Sequence, residues 1–259
     1  MKTAKILPIM LMAILAITFS NCSKDTPSTT VVEVRLIDSP GDYQEVNIDI
    51  QGVEINSSTS SSDGWKAVPI TAGIYNLLKL TNGLDMLLGK LELPSGKLSQ
   101  VRLILGANNS VKIADQSILL STPSAQQSGL KLQVNADLVA GVTYKLLLDF
   151  DAARSIVSTG NGKYILKPVI KTVAEALTGA IKGIVLPVDA NPAIYAIIGT
   201  DTVSTTFPDV TGSFLLSGLN AKIYKITFQP KSGYLSTQKE NVSVTIGNVT
   251  NIGTVTIIK

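Results

Sequence analysis

Two pairs of acids stand close enough in the sequence to act together: Asp38 with Asp42, around Ser39-Pro40-Gly41, and Asp149 with Asp151. Carboxylates at these spacings can converge on a hard cation such as calcium, which takes about six to eight oxygens. The same groups admit a plainer account. Asp38 and Asp42 would cap the turn by accepting backbone N–H bonds. Asp149 and Asp151 would hold a buried hydrogen bond or pair with Arg102 or Arg154. Two carboxylates also suffice for general acid and base work on a glycosidic bond, given an aromatic-lined cleft. Trp65, the only tryptophan, follows a serine-rich stretch at 57–62. It would serve as a stacking platform for a sugar, with Tyr43, Tyr195 or Tyr234, or else anchor a hairpin end to the core. Gly160-Asn161-Gly162-Lys163 is superficially like a phosphate loop, but Tyr164 stands where Ser or Thr is needed. Asn161-Gly162 instead predicts a hairpin turn with positive φ.

The chain has no histidine. That removes Ser-His-Asp and Cys-His catalysis, imidazole zinc sites and a histidine pH switch. The single cysteine, Cys22, has no internal disulfide partner. Its setting gives it another use. Met1 to Lys5 is a basic n-region and Ile6 to Phe19 an apolar stretch, short of the roughly 20 residues that span a bilayer. Phe19-Ser20-Asn21-Cys22 then stands where a lipobox belongs, though Phe19 and Asn21 depart from its preferred Leu and Gly or Ala. Residues 1–21 therefore read as a lipoprotein signal peptide, Cys22 as the lipidated residue and 22–30 as a polar tether. Ser23-Lys24-Asp25 resembles in part the lysine-acidic signal for display on the outer membrane. A plain secretory signal with an incidental cysteine is the competing account.

Lys2 and Lys5 leave with the signal, so the formal charge of +3 falls to +1. A near-neutral chain has no broad field to draw it to nucleic acid. With 45% hydrophobic and 16% charged residues it is also too apolar to be disordered.

The elements that must position these residues are strands. Val32, Val34 and Leu36 alternate with Glu33 and Arg35, and Val46, Ile48 and Ile50 with Asn47 and Asp49. The same period of two runs through 101–105, 130–134 and 144–150. Ser39-Pro40-Gly41-Asp42, Pro94-Ser95-Gly96, Ala140-Gly141 and Gly160-Asn161-Gly162 punctuate the strands as turns. Only Leu84 to Leu88 carries a helical pattern, about one turn long. This predicts an all-β chain, with a larger antiparallel sandwich or barrel at 31–173.

Several segments here resemble the bacterial family called domain of unknown function 4382. They are Leu36 to Tyr43, Gly64-Trp65, Tyr75 to Leu80, Leu93 to Gly96, Gln100 to Leu105, Ser128 to Lys131 and Leu148 to Ser155. The resemblance implies an exported β-rich module, frequent in lipoproteins, without an assigned activity.

Residues 178–258 predict a second, smaller sandwich of six or seven short strands. Its order resembles the carboxypeptidase regulatory-like domain, a transthyretin-like sandwich. The likeness rests on Gly179-Ala180-Ile181-Lys182-Gly183-Ile184-Val185, Asp209 to Phe214, Gly218-Leu219, Tyr224 and Gly233-Tyr234. Asn220 and Lys222 replace that family's usual Pro and Gly. The resemblance implies a structural or binding spacer with a carbohydrate-binding-like fold, and fold does not imply function.

The expected function is a membrane-anchored, non-catalytic binding, adhesion or scaffold module of the cell envelope. Its expected partners are envelope proteins or glycans, and calcium is the one cofactor entertained. The alternative is a structural accessory subunit of an outer-membrane assembly. A carboxylate- or metal-dependent hydrolase ranks below both.

Overall fold

A computed structural model describes residues 29–39, 41–58, 64–81, 83–122 and 129–259. The signal stretch, the lipobox and Cys22 lie outside the described residues. Alternation along the strands builds two sheets over one apolar core in the first part of the chain. Its strands are β1 (Thr29–Ser39), β2 (Glu45–Asn56), β3 (Trp65–Ala67), β4 (Gly73–Asn76), β5 (Met86–Pro94), β6 (Gly96–Leu105) and β7 (Ser110–Ile113). They continue as β8 (Gln116–Ser121), β9 (Leu130–Leu138), β10 (Thr143–Asp151), β11 (Ile156–Ser158), β12 (Tyr164–Leu166) and β13 (Ile170–Ala176). One sheet runs β13-β10-β1-β5; the other runs β11-β12-β8-β7-β2-β6-β9, with β3 and β4 also paired to β2. Among the described residues neither sheet closes on itself, so the architecture is a sandwich and not a barrel.

The central pair of the smaller sheet is parallel. β1 lies beside β10 with Val34 opposite Leu146 and Leu36 opposite Leu148, and all four side chains are fully buried. The other face of this sheet carries one row of alternating charge. Lys90 on β5, Glu33 on β1, Lys145 on β10 and Glu175 on β13 stand in register. Lys90 reaches Glu33 at 2.5 Å and Lys145 reaches Glu175 at 3.2 Å, while Arg35 binds both Glu33 and Asp85. Burial works against the Glu33 charge, but the bonds from Lys90 and Arg35 bring its carboxyl below the usual value. Cross-strand pairs of this kind contribute roughly 0.2–1 kcal/mol each and favour one register.

The larger sheet has a buried acid of its own. A bulge between Ile50 and Gly52 lets β2 change partners, and Asp49 sits beside it, 2% exposed. One carboxylate oxygen of Asp49 accepts from the backbone N–H and the side-chain amide of Asn108, each at 3.1 Å, and Gln51 donates to the other. Asp49 thereby closes the 106–109 turn between β6 and β7. A Cβ on Gly106 would stand 2.1 Å from that carboxylate, so only glycine fits there.

The second sandwich packs β17-β14-β20 against β16-β15-β18-β19. Its strands are β14 (Gly179–Leu186), β15 (Ala193–Ile198), β16 (Asp201–Thr206), β17 (Ser213–Leu219), β18 (Ile223–Gln229), β19 (Thr237–Ser243) and β20 (Val249–Thr256). Phe214 and Phe228 meet edge to face in its core with ring centroids 5.7 Å apart. The Tyr224 hydroxyl donates to the Asn220 carbonyl at 3.0 Å, which holds the altered 220–222 turn.

Two residues, Leu177 and Thr178, join β13 to β14, and the β9–β10 turn docks beside them. Thr143 donates its N–H to the Thr178 hydroxyl, Leu177 donates to the Thr143 carbonyl, and Gly218 donates to the Gly141 carbonyl. Gly141 has φ +77°, and a Cβ there would press on Ala180 and Leu215 at 3.0 Å. Its N–H also donates to the Thr29 carbonyl at 2.8 Å. β1 therefore begins at the waist between the sandwiches.

Two features differ from expectation. The sheets are mixed, with parallel pairs β1–β10, β8–β12 and β14–β20, because alternation marks a strand without fixing its direction. The helical turn expected at Leu84 to Leu88 is absent; Met86 to Leu88 open β5 opposite Leu36 and Arg35. One turn of helix gains too little to compete with a full ladder.

Asp49→Ala is expected to cost about 3 kcal/mol, because it strips a buried charge-assisted set of bonds from the 106–109 turn. Gly106→Ala is expected to destabilise comparably by displacing the carboxylate. Urea unfolding measures both; a loss under about 1 kcal/mol would exclude this role.

Candidate functional site

Strand parity decides what the four aspartates can do together. Asp38 follows Val32, Val34 and Leu36 on the core side of β1 and is 7% exposed. Its Oδ1 accepts from the Ala152 N–H at 3.2 Å, while the buried Oδ2 has no hydrogen-bond partner among the described residues. Asp149 and Asp151 alternate with the buried Leu148 and Phe150, so they belong to the opposite face of the sheet. Asp151 caps the four-residue helix α1 (Ala152–Ser155): its Oδ1 accepts from the Arg154 N–H at 2.9 Å, with the Arg154 guanidinium 3.9 Å from Oδ2. Asp42 is exposed in the turn before β2. Asp38 and Asp151 thus brace the start of one helical turn from two strands. Arg102, weighed as a partner for Asp149 or Asp151, binds Glu54 instead at 2.7 Å. Among the described residues no group of three acids, histidines or cysteines is arranged to hold a metal ion.

Burial pushes the Asp38 carboxyl up to about 6; the Ala152 N–H opposes this, and the charges of Asp149 and Asp151 reinforce it. The result is a buried acid pushed into the mildly acidic range, with one oxygen that has no hydrogen-bond partner among the described residues.

The aromatic candidates are dispersed. Trp65 pairs through its backbone with Asn56 at one end of β2, and the Arg102 guanidinium lies 4.0 Å from its ring centroid. Lys131 approaches the same ring at 5.9 Å. A cation stacked on the indole holds the hairpin to β6 and competes with a sugar for that face. Tyr43 precedes the other end of β2, about 35 Å away at the rise of an extended strand. It packs on the first core beside Gly41; burial, then Tyr164 and Asp42, raise its phenol. Tyr195 and Tyr234 belong to the second sandwich. Tyr195 is half-buried on β15, and Tyr234 packs on the second core with Lys259 5.5 Å from its ring. No shared platform forms from Trp65 and these tyrosines.

Sequence reading missed the concave places. A cleft of about 390 Å³ opens at the end of the first sandwich away from the waist, where β2, β4, the 3₁₀ turn Leu77–Lys79 and β5 meet. Glu45, Asn47, Tyr75, Asn76, Lys79 and Met86 line it. Asn47 donates to the Glu45 carboxylate at 3.0 Å, the Tyr75 hydroxyl donates to the Thr71 carbonyl at 2.5 Å, and Asn76 caps the 3₁₀ turn through Leu78 N–H. Carboxylate, amide, phenol and ammonium groups so converge on one small volume, which suits a hydroxyl-rich ligand. A larger groove, about 570 Å³, lies on the second sandwich and is walled by Ile184, Leu215 and Ala140. The sequence signal for the first was Tyr75-Asn76 two strands after Glu45-Val46-Asn47, which has meaning only once β2 and β4 are known to pair.

The family model described as Domain of unknown function (DUF4382) matches residues 29–168, more than half of the chain. No curated protein matches. Among solved structures, a chain of a type II cohesin–X-dockerin complex from Acetivibrio cellulolyticus aligns at 20% identity over 30% of this chain and 56% of its own, with a TM-score of 0.25. The chain thus spans little over half the length of that structure. The shaft pilin spaA from Lactobacillus rhamnosus GG aligns at 11% identity over 89% of this chain and 97% of its own, TM-score 0.24. A putative cell adhesion protein from Parabacteroides distasonis aligns at 11% over 83% and 82%, TM-score 0.24. At such scores no role is transferred. No helix among the described residues is long and apolar enough to cross a membrane.

Asp38 yields a pH prediction. Its folded pKa lies above the unfolded value of 3.8, so its stabilising contribution is complete below that pH and is lost as pH rises through about 6. The rise from 3.8 to about 6 corresponds to about 3 kcal/mol. Urea titrations from pH 4 to 7 should show the wild type losing a stability that Asp38→Asn retains. An Asp38→Asn difference that stays constant across this window would count against a raised pKa.

Proposed function

The chain belongs to the DUF4382 family, and from that premise we propose that it is a non-catalytic binding or adhesion module of the cell envelope, held to the outer membrane by a lipid on Cys22. The observation that carries the binding role is the cleft at the far end of the first sandwich. Its polar groups gather around a single carboxylate, Glu45, and Asp38 and Asp151 are engaged with backbone N–H groups elsewhere. Glu45, Asn47 and Lys79 would bind hydroxyl groups of a glycan while Tyr75 and Met86 supply apolar contact. The second sandwich, read as carboxypeptidase regulatory-like, serves as a spacer. Lipidation rests on the sequence around Cys22, where a basic start, an apolar stretch and the only cysteine follow in order.

A glycan array and a pull-down against envelope proteins test the binding role. A ligand found on either should lose at least tenfold in affinity to Asn47→Ala or Lys79→Ala with the melting temperature unchanged. An array and a pull-down that both come back empty would remove the proposal. Palmitate labelling tests the anchor independently: the wild type should incorporate label and fractionate with membranes, and Cys22→Ser should do neither.

A further inference from the structure

The three strands β14, β17 and β20, with the residues 257–259 that follow, contain no aspartate or glutamate; their charged residues are Lys182 and Lys259. Their outward face also carries exposed apolar side chains. Ile184 is 41% and Leu186 43% exposed on β14, and Ile258 is 63% exposed beside them. The Ile257 N–H donates to the Leu186 carbonyl and the Leu235 N–H to the Ile258 carbonyl, so the far tip of this face is fixed by hydrogen bonds. The nearest acids in sequence, Asp189 and Asp209, lie in the adjoining turns, and Asp209 accepts from Thr211 and Ser213 of its own turn.

The waist end of this face lies near Thr29, the first described residue. Ala140 walls the near end of the groove, and the next residue, Gly141, is bonded to Thr29, where the described chain starts. From Cys22 to Thr29 is seven residues, which reach at most about 25 Å when fully extended. β14 is eight residues long, or about 26 Å. The whole face therefore lies within reach of the surface to which Cys22 would be attached.

We propose that the outer face of β17-β14-β20 rests on an anionic phospholipid surface, a second contact that works beside the lipid on Cys22. Ile184, Leu186 and Ile258 enter the boundary between headgroups and acyl chains, and Lys182 meets a headgroup phosphate. Apolar burial joined to basic charge is the combination that holds proteins at membrane interfaces. The acid-free composition suits a phosphate-bearing surface, which would repel exposed carboxylates. The contact rests on the anchoring reading above only for the nearness of the membrane, and it sets the angle at which the molecule stands.

The test uses the full mature chain carrying Cys22→Ser, which has no lipid, with vesicles of phosphatidylglycerol and phosphatidylethanolamine at about one to three. It should co-sediment with these and several-fold less with pure phosphatidylcholine. Lys182→Glu and Ile184→Ser should each weaken binding about tenfold, and Lys163→Glu, an equal change of charge on the first sandwich, should leave it unaltered. Melting curves confirm that the exposed substitutions fold. No binding to the anionic vesicles, or binding indifferent to Lys182 and Ile184, overturns the proposal. So does a dimer in sedimentation velocity that Ile184→Ser dissolves, since it would assign the face to a second copy. Failed palmitate labelling with intact vesicle binding would remove the anchor alone.

Discussion

The parallel register of β1 against β10 is the constraint from which most of the first sandwich follows. β1 has neighbours on both sides, so its alternation fixes theirs. Once Val34 lies opposite Leu146, the inward set Val32, Val34, Leu36 meets Tyr144, Leu146, Leu148 and Phe150. The outward set falls into the row Lys90, Glu33, Lys145, Glu175. A slip of one residue would place that row in the core and its apolar partners in water. The same register separates Asp38 from Asp149 and Asp151, so the grouping that invites a cation in the sequence is divided between two faces of one sheet.

Much of the architecture was legible because period-two alternation reports burial directly. Val46, Ile48 and Ile50 are buried as their spacing predicts, and Asn161-Gly162 forms the positive-φ hairpin turn its residues require. Strand direction was not legible, because parallel and antiparallel strands share one side-chain period. Nor was the duty of Asp49, which reads as an ordinary outward residue until the bulge at Ile50 and the 106–109 turn enclose it. Trp65 illustrates the same limit. Its stacking partner Arg102 lies 37 positions away in the sequence, brought close because β3 and β6 both flank β2. The cleft is assembled from three strands and a 3₁₀ turn, and no local pattern announces it.

The two sandwiches divide the surface between them. The first has polar concavity at its far end and a charged outer row. The second has an acid-free, partly apolar sheet face on the side of the waist. The waist itself is narrow and directional: Gly141 must be glycine there, and through it the start of β1, the β9–β10 turn and β17 are fastened to one another. The polar cleft and the acid-free face thus belong to different sheets, with the hydrogen-bonded waist between them.

That β1 starts at the waist also bears on mechanics. Tension between an anchor upstream of Thr29 and something held in the far cleft would run along the axis of β1, drawing it lengthwise past β10 and β5. In that geometry the ladder bonds on both sides share the load and must yield together, unlike a hairpin peeled from its end one bond at a time. A strand placed at the centre of its sheet, tethered at one tip, resists being dragged out by flow or by a departing partner.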